Sequence, residues 1–279
     1  MKKLIIACCF IFTFPFATFS IDRPSADSLV KEGRYLDAAL EYERLCFLSD
    51  SNNKNELLMQ KALCLRWAGE YERASATLDR IPLFFVTDSV RKKVVFERAL
   101  NYYLNGRFAQ AEGEIRVLED MFQGKLPVGS VLLCALILNE QQKWGDAKAM
   151  LLANASSGVF GNDSVAAKNR IMILYSDSNT PRLKSKNTAF WLSFLPGAGI
   201  AYGGEPAEGV LNFVMNAAAF GFGVYEIYYG YYLTGYFTGG ILLEKFYLGG
   251  RKRADFLVER TNYERAKHFN KQAKSSLME

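Results

Sequence analysis

The sequence predicts an all-α protein: a helical-repeat solenoid followed by a membrane-embedded helical hairpin. Three observations predict it. A helical pattern recurs four times in the first two thirds of the chain. A C-terminal stretch is almost free of charge. The N-terminus is basic, then apolar. Of the 279 residues half are hydrophobic and 23% charged, too apolar for a disordered chain and too charged for one lying wholly in lipid. The net charge of +5 sits beside apolar segments rather than on one folded basic face, which excludes nucleic acid as the expected partner. The single histidine, His268, excludes a metal centre built from several histidines. No metal, cofactor or catalytic residue is expected.

Residues 1–20, MKKLIIACCFIFTFPFATFS, place two lysines before an apolar run that ends in small residues. That order is a secretory signal peptide, with Thr18 and Ser20 at the small cleavage positions. An uncleaved anchor, or lipidation at Cys8 after Ile5-Ile6-Ala7, are the alternatives. Cleavage would leave Cys46, Cys64 and Cys134. None lies in a CxxC pair, so three small core residues are expected, with a Cys46–Cys64 bridge open in an oxidising compartment.

Over residues 22–178 the segments GRYLDAALEY, GEYERASATL, GRFAQAEGEI and QKWGDAKAML begin at Gly33, Gly69, Gly106 and Gln142, in steps of 36, 37 and 36 residues. Two residues on, each has an aromatic: Tyr35, Tyr71, Phe108, Trp144. Five on, each has alanine: Ala38, Ala74, Ala111, Ala147. Nine on stand Tyr42, Leu78, Ile115 and Leu151, and seven before stand Ala26, Ala62, Ala99 and Ala135. The physics is that of a helix–turn–helix unit. Alanines let two antiparallel helices approach, a glycine ends the first helix, and the aromatic fills the gap at the turn. The stretch Asp163–Tyr175 is expected to be a capping helix.

These units resemble tetratricopeptide repeats, which share this order of small, glycine, aromatic and alanine positions at a 34-residue period. The fourth unit lacks the glycine, and the proline after the second helix is displaced, with Pro82 early. The resemblance implies a concave groove, lined by the first helix of each unit, that binds a protein or peptide partner. Mapped onto this chain it is Met59, Leu63 and Arg66, then Phe96, Leu100 and Tyr103, then Leu132, Leu136 and Asn139. The bland alternative is that these residues pack between neighbouring helices.

After a polar linker (179–187, within SDSNTPRLKSKN) the character changes. From Thr188 to Leu243 the only charges are Glu205, Glu208 and Glu226, bounding three uncharged runs at 188–204, 209–225 and 227–243. The last two are long enough to span a bilayer. The first is broken by Leu195-Pro196-Gly197, so Thr188–Leu195 is expected as an interfacial helix with Phe190 and Trp191 at the lipid boundary. Small residues at helix-packing spacing, Ala217/Gly221, Ala219/Gly223 and Gly235/Gly239, suit a membrane hairpin. A buried soluble hairpin is the alternative. The membrane domain is taken as 188–250.

The stretch FLPGAGIAYGGEPAEGVLNF (194–213) resembles a paired-transmembrane-helix domain of the L-P-G-x-G-x-x-Y type found in bacterial envelope proteins. Leu195, Pro196, Gly197, Gly199, Tyr202, Gly204 and Gly209 carry the likeness, although the glycine after Tyr202 is doubled (Gly203, Gly204). A dinucleotide-binding glycine loop is excluded, because position 202 is tyrosine and no strand–helix frame surrounds it. Glu205 and Glu208 read as a solvated pair beside a helix N-terminus rather than as catalytic carboxylates.

Residues 251–279 form a basic amphipathic tail, with Phe256, Tyr263, Ala266 and Phe269 as a partial apolar stripe. It is expected to lie on anionic headgroups or in solvent. The signal places the repeats on the periplasmic side of a bacterial membrane, the inner more readily than the outer, although Arg182, Lys184, Lys186 and the Arg251–Arg253 cluster argue for the cytoplasmic side. The expected function is a non-enzymatic, membrane-anchored cell-envelope scaffold. Its repeats would bind a partner protein or peptide, and its hairpin would contact lipid. A hairpin that forms homo-oligomers, as a small pore or membrane-protein assembly factor, is the alternative.

Overall fold

The computed structural model describes residues 25–49, 51–155 and 164–278; the signal segment lies outside them. Among the described residues every regular element is a helix and no strand occurs, so the chain is all-α. It divides into two compact units, the first ending at Pro82 and the second beginning at Leu83. The division falls inside the stretch read as one repeat domain.

The first unit holds α1 (Ala26–Lys31), α2 (Tyr35–Leu48), α3 (Ser51–Trp67) and α4 (Tyr71–Leu78). Ser25 starts α1 by accepting the Ser28 N–H with its side chain, as an N-cap should. Ala26, Ala38, Ala62 and Ala74 are all buried at the helix contacts, with Leu29, Tyr42, Leu65 and Leu78 beside them. Glu43 holds the rim by accepting from Lys61 (2.8 Å) and Arg80 (2.9 Å). Both cations hold its carboxyl below the usual range, Arg80 foremost. Cys46 and Cys64 are buried free thiols, with no bridge between them.

The second unit begins with α5 (Asp88–Leu104), α6 (Phe108–Met121), α7 (Val128–Glu140), α8 (Trp144–Ala153) and α9 (Ser164–Leu174). Its core again gathers the periodic positions: Ala99, Ala111, Ala135 and Ala147 are at most 1% exposed, as are Ile115 and Leu151. Each large aliphatic residue so buried contributes about 1.5–3 kcal/mol. The second unit continues through α10 (Lys186–Leu192), α11 (Ala198–Gly203) and α12 (Pro206–Tyr228). After a turn at Gly230 comes α13 (Tyr232–Thr234), a π-helical segment Gly235–Gly240, and α14 (Ile241–Met278). These last three form one helical run without a break from Tyr232 to Met278, about 70 Å at the usual rise per residue.

All four repeat turns have the same backbone. Gly33, Gly69, Gly106 and Gln142 are left-handed, at φ of 75°, 81°, 72° and 62°. Around each, the next residue's N–H reaches back to the carbonyl five residues earlier, as Arg34 does to Leu29 and Lys143 to Leu138 (both 2.9 Å). This is the Schellman closure. The fourth unit keeps the turn without the glycine and bears the strain on Gln142 instead.

Candidate functional site

The C-terminal part of the second unit departs most from an ordinary globular surface. α12 is the one described helix long and apolar enough to cross a membrane by length and composition, with a mean hydropathy of 1.3 over its most apolar window and 17% of that window buried. Its outward side shows Val210, Leu211, Phe213, Val214, Phe220 and Val224 to the surroundings. The run read as a second span starts later than expected, at Tyr232 rather than 227, because Ile227 and Tyr228 complete α12. It also continues straight into the tail.

The two legs meet through small residues. A Cβ built on Gly239 would lie 2.3 Å from the Gly223 Cα, and one on Gly235 3.0 Å from the Gly223 carbonyl oxygen. Ala219 is buried in the same seam, while Ala217 and Gly221 face away from it. Near the base, Asn212 donates to the Phe246 carbonyl (3.2 Å) and Asn216 donates to the Asn212 carbonyl (2.8 Å). So Asn212 bridges the two legs, whereas Asn216 bonds within its own helix. Glu208 is not simply solvated: Arg253 grips it with two hydrogen bonds, 2.7 and 3.0 Å.

The motif residues build the base of this hairpin. Gly197 has φ 82°, and a Cβ there would sit 1.9 Å from the Gly209 carbonyl oxygen. One on Gly209 would sit 2.6 Å from the Gly197 carbonyl oxygen. Only two glycines let α11 and α12 cross this closely. Gly199 packs on Ser193 and Ala254. The doubled glycine has two separate tasks. Gly203 makes room for Leu257, and Gly204 takes a φ of 124°. Tyr202 accepts the Ser185 N–H at its hydroxyl (3.0 Å), and its carbonyl accepts from Lys184 (2.6 Å). Pro196 is half-buried, and Leu195 is exposed beside Phe190, Trp191 and Phe194.

The tail differs from both expectations. Ala254, Leu257, Val258, Ala266, Phe269, Asn270, Ala273 and Leu277 are buried, whereas Phe256 and Tyr263 of the expected stripe are exposed. The last turns of α14 pack onto α7, α8 and α9 within one hydrophobic core. Phe269 meets Trp144 and Tyr175 edge-on, at 5.6 and 5.7 Å. Asn270 accepts from the Trp144 indole (3.2 Å) and donates to Glu140 (3.1 Å). The linker is tied down as well: Lys184 and Asn262 exchange two hydrogen bonds, 2.7 and 2.8 Å.

This bears on the groove residues. In the first unit Met59 is interior, with Leu63 and Arg66 half-buried. In the second, Phe96, Leu100, Tyr103 and Leu132 are half-buried against the core, and Leu136 and Asn139 are interior. Asn139 pairs with the Tyr175 hydroxyl (2.8 Å), and burial pushes that hydroxyl up to about 12. Lys274 from the tail stands 6.0 Å above the Tyr103 ring. So α14 covers part of what was read as a partner surface. No local signal in the tail announced this, because its stripe is interleaved with charges. Of the nine, Phe96 lines an open apolar cavity of about 240 Å³, with Lys92, Leu118, Phe122 and Pro127.

An open cavity of about 580 Å³ lies between linker and tail, where His268 joins Arg182, Glu264 and Arg265. Among the described residues no group of three His, Cys, Asp or Glu side chains is placed to hold a metal ion. No family model matches the chain, and no curated protein or solved structure matches it either.

Proposed function

We propose that this chain is a membrane-anchored scaffold of the bacterial cell envelope. Its helical units, similar to tetratricopeptide repeats, carry a partner protein or peptide on the periplasmic side, and its hairpin holds them at the bilayer, by preference the inner membrane. One observation carries the reading: a single helical run leads from Tyr232, in the apolar hairpin, to Phe269 and Leu277, in the core of the second unit's repeat-like helices. Within the second unit, the hairpin and the repeat-like helices are therefore joined by one continuous helix. The hairpin's dimensions support it. From Val210 to Tyr228 α12 extends about 27 Å, close to the thickness of a bilayer's hydrocarbon core. Exposed aromatics stand at both ends, Phe190, Trp191 and Phe194 at the base and Tyr228, Tyr229, Tyr231 and Tyr232 at the tip. Aromatic belts favour such positions.

Because the tail covers part of α7, the partner surface is best sought around Phe96, Leu100 and Leu132 and, in the first unit, Leu63 and Arg66. The test has two arms. Membranes bearing the full chain are washed with alkaline carbonate; release into the supernatant would sink the anchor. Crosslinked partners are then compared between wild type and a Phe96→Ala/Leu132→Ala variant; identical capture would remove the docking surface. A second reading, a hairpin that self-associates, is supported by the open Ala217 and Gly221 positions on α12. Crosslinking in detergent separates the two, since a plain anchor stays monomeric.

A further inference from the structure

The base of the hairpin carries a cation that, among the described residues, lies against aromatic rings and forms no ion pair. Arg251 lies with its guanidinium carbon 4.6 Å from the Phe190 ring centre and 5.7 Å from that of Phe194. Phe190 and Phe194 meet edge-on at 5.7 Å, and Trp191 stacks on Phe194 at 5.5 Å. Among the described residues no hydrogen bond or ion pair engages that guanidinium, whereas neighbouring Arg253 is already held by Glu208. The acids on the same helix are Glu244, Asp255, Glu259 and Glu264; the nearest along it, Asp255 one turn on and Glu244 two turns back, form no ion pair with Arg251, and Glu259 pairs with Lys186. Lys252, next in the chain, is an exposed cation.

The rings themselves are unusually open for three clustered aromatics. Trp191 is 64% exposed, Phe194 55% and Leu195 60%. Their height along the hairpin is fixed by the pairs on either side. Gly250 abuts the Asn212 side chain, and Arg253 reaches Glu208, so Arg251 stands level with the first turns of α12. In a chain anchored by this hairpin, that is the depth of lipid phosphates and glycerols.

We infer that Arg251, held against the Phe190 and Phe194 rings, is a binding site for the phosphate of an anionic phospholipid. The inference rests on the anchored reading above. The rings hold the guanidinium in place by cation–π contact and leave its outward N–H groups to grip phosphate oxygens in a fork, a geometry lysine lacks. Trp191 and Leu195 offer an apolar bed for the upper acyl chain. Lys252 contributes charge without the stacked geometry.

The test uses the full chain, purified in detergent and offered equal amounts of phosphatidylglycerol and phosphatidylcholine, with retained lipid read by native mass spectrometry. Wild type is expected to retain phosphatidylglycerol about fivefold over phosphatidylcholine, the scale of one cation at an anionic surface. Arg251→Gln is expected to abolish the preference. Phe190→Leu, which keeps the charge and removes the ring, is expected to weaken it, and Lys252→Gln to leave most of it. Equal retention of the two lipids by wild type, or an unchanged preference in Arg251→Gln, overturns the site. Melting curves in detergent show whether each variant is folded. Should Arg251→Gln not fold, Arg251→Lys decides: full preference there removes the role of the stacked fork. Carbonate washing of wild type separates the two levels. A chain that stays in the membrane without lipid preference loses only this site, while a chain released by carbonate loses the anchor and the site together.

Discussion

Gly223 and Gly239 meet backbone to backbone: a Cβ on Gly239 would fall 2.3 Å from the Gly223 Cα and 2.8 Å from its nitrogen. No rotamer change relieves a clash with main-chain atoms, so the two legs must separate to admit any side chain. Gly239→Ala is expected to destabilise the hairpin by about 1–3 kcal/mol, the usual cost of overpacking. Gly221→Ala, with nothing within 4 Å of its Cβ, should change little. Thermal unfolding in detergent compares them, and equal behaviour would contradict this seam.

Gln142 occupies a left-handed turn that glycine holds in the other three units. Its backbone carries a penalty that glycine avoids. Gln142→Gly should therefore stabilise the second unit by about 0.5–1 kcal/mol. Gly69→Ala should do the reverse in the first. Denaturant midpoints report both, and a destabilised Gln142→Gly would mean that the amide side chain matters more than the turn.

The tail is part of the core. Phe269 is 2% exposed between Trp144 and Tyr175. Phe269→Ala should cost about 3–5 kcal/mol. Asn270→Ala strands the Trp144 indole N–H and should cost about 1–3 kcal/mol. Unfolding curves followed by Trp fluorescence give the values. If the tail lay on headgroups instead, both substitutions would leave the repeat-like helices at wild-type stability.

Glu112 predicts an acid limb. Lys143 chiefly, with Gln141 and Arg116, lowers its pKa from 4.5 to about 2. A carboxylate depressed on folding adds stability that is fully present above about 4.5 and is lost as pH falls towards 2. Stability of the wild type should fall across that window. Glu112→Gln should flatten the fall, and identical pH profiles for the two proteins would refute the pairing.

The four left-handed turns and the buried alanines were legible in the sequence because their signal is local. A left-handed turn demands glycine or a tolerant substitute within one residue, and close helix contact demands alanine at fixed spacing, so Ala38, Ala74, Ala111 and Ala147 announce their own burial. The glycines of the hairpin base were legible for the same reason, since a position that admits no Cβ can hold nothing else. The groove was less so: the repeat resemblance maps Met59, Leu136 and Asn139 onto its lining, yet all three are buried.

The amino-acid order alone determined an all-α chain, its turn positions, and the apolar run that becomes Pro206–Tyr228. Only the tertiary structure decided that the second leg and the charged tail are one helix, and that Phe269 and Asn270 rather than Phe256 and Tyr263 face inward. Local patterns record which residues a helix can hide. Which face it does hide depends on neighbours more than a hundred residues away, such as Trp144 for Asn270, and no spacing within the tail encodes them.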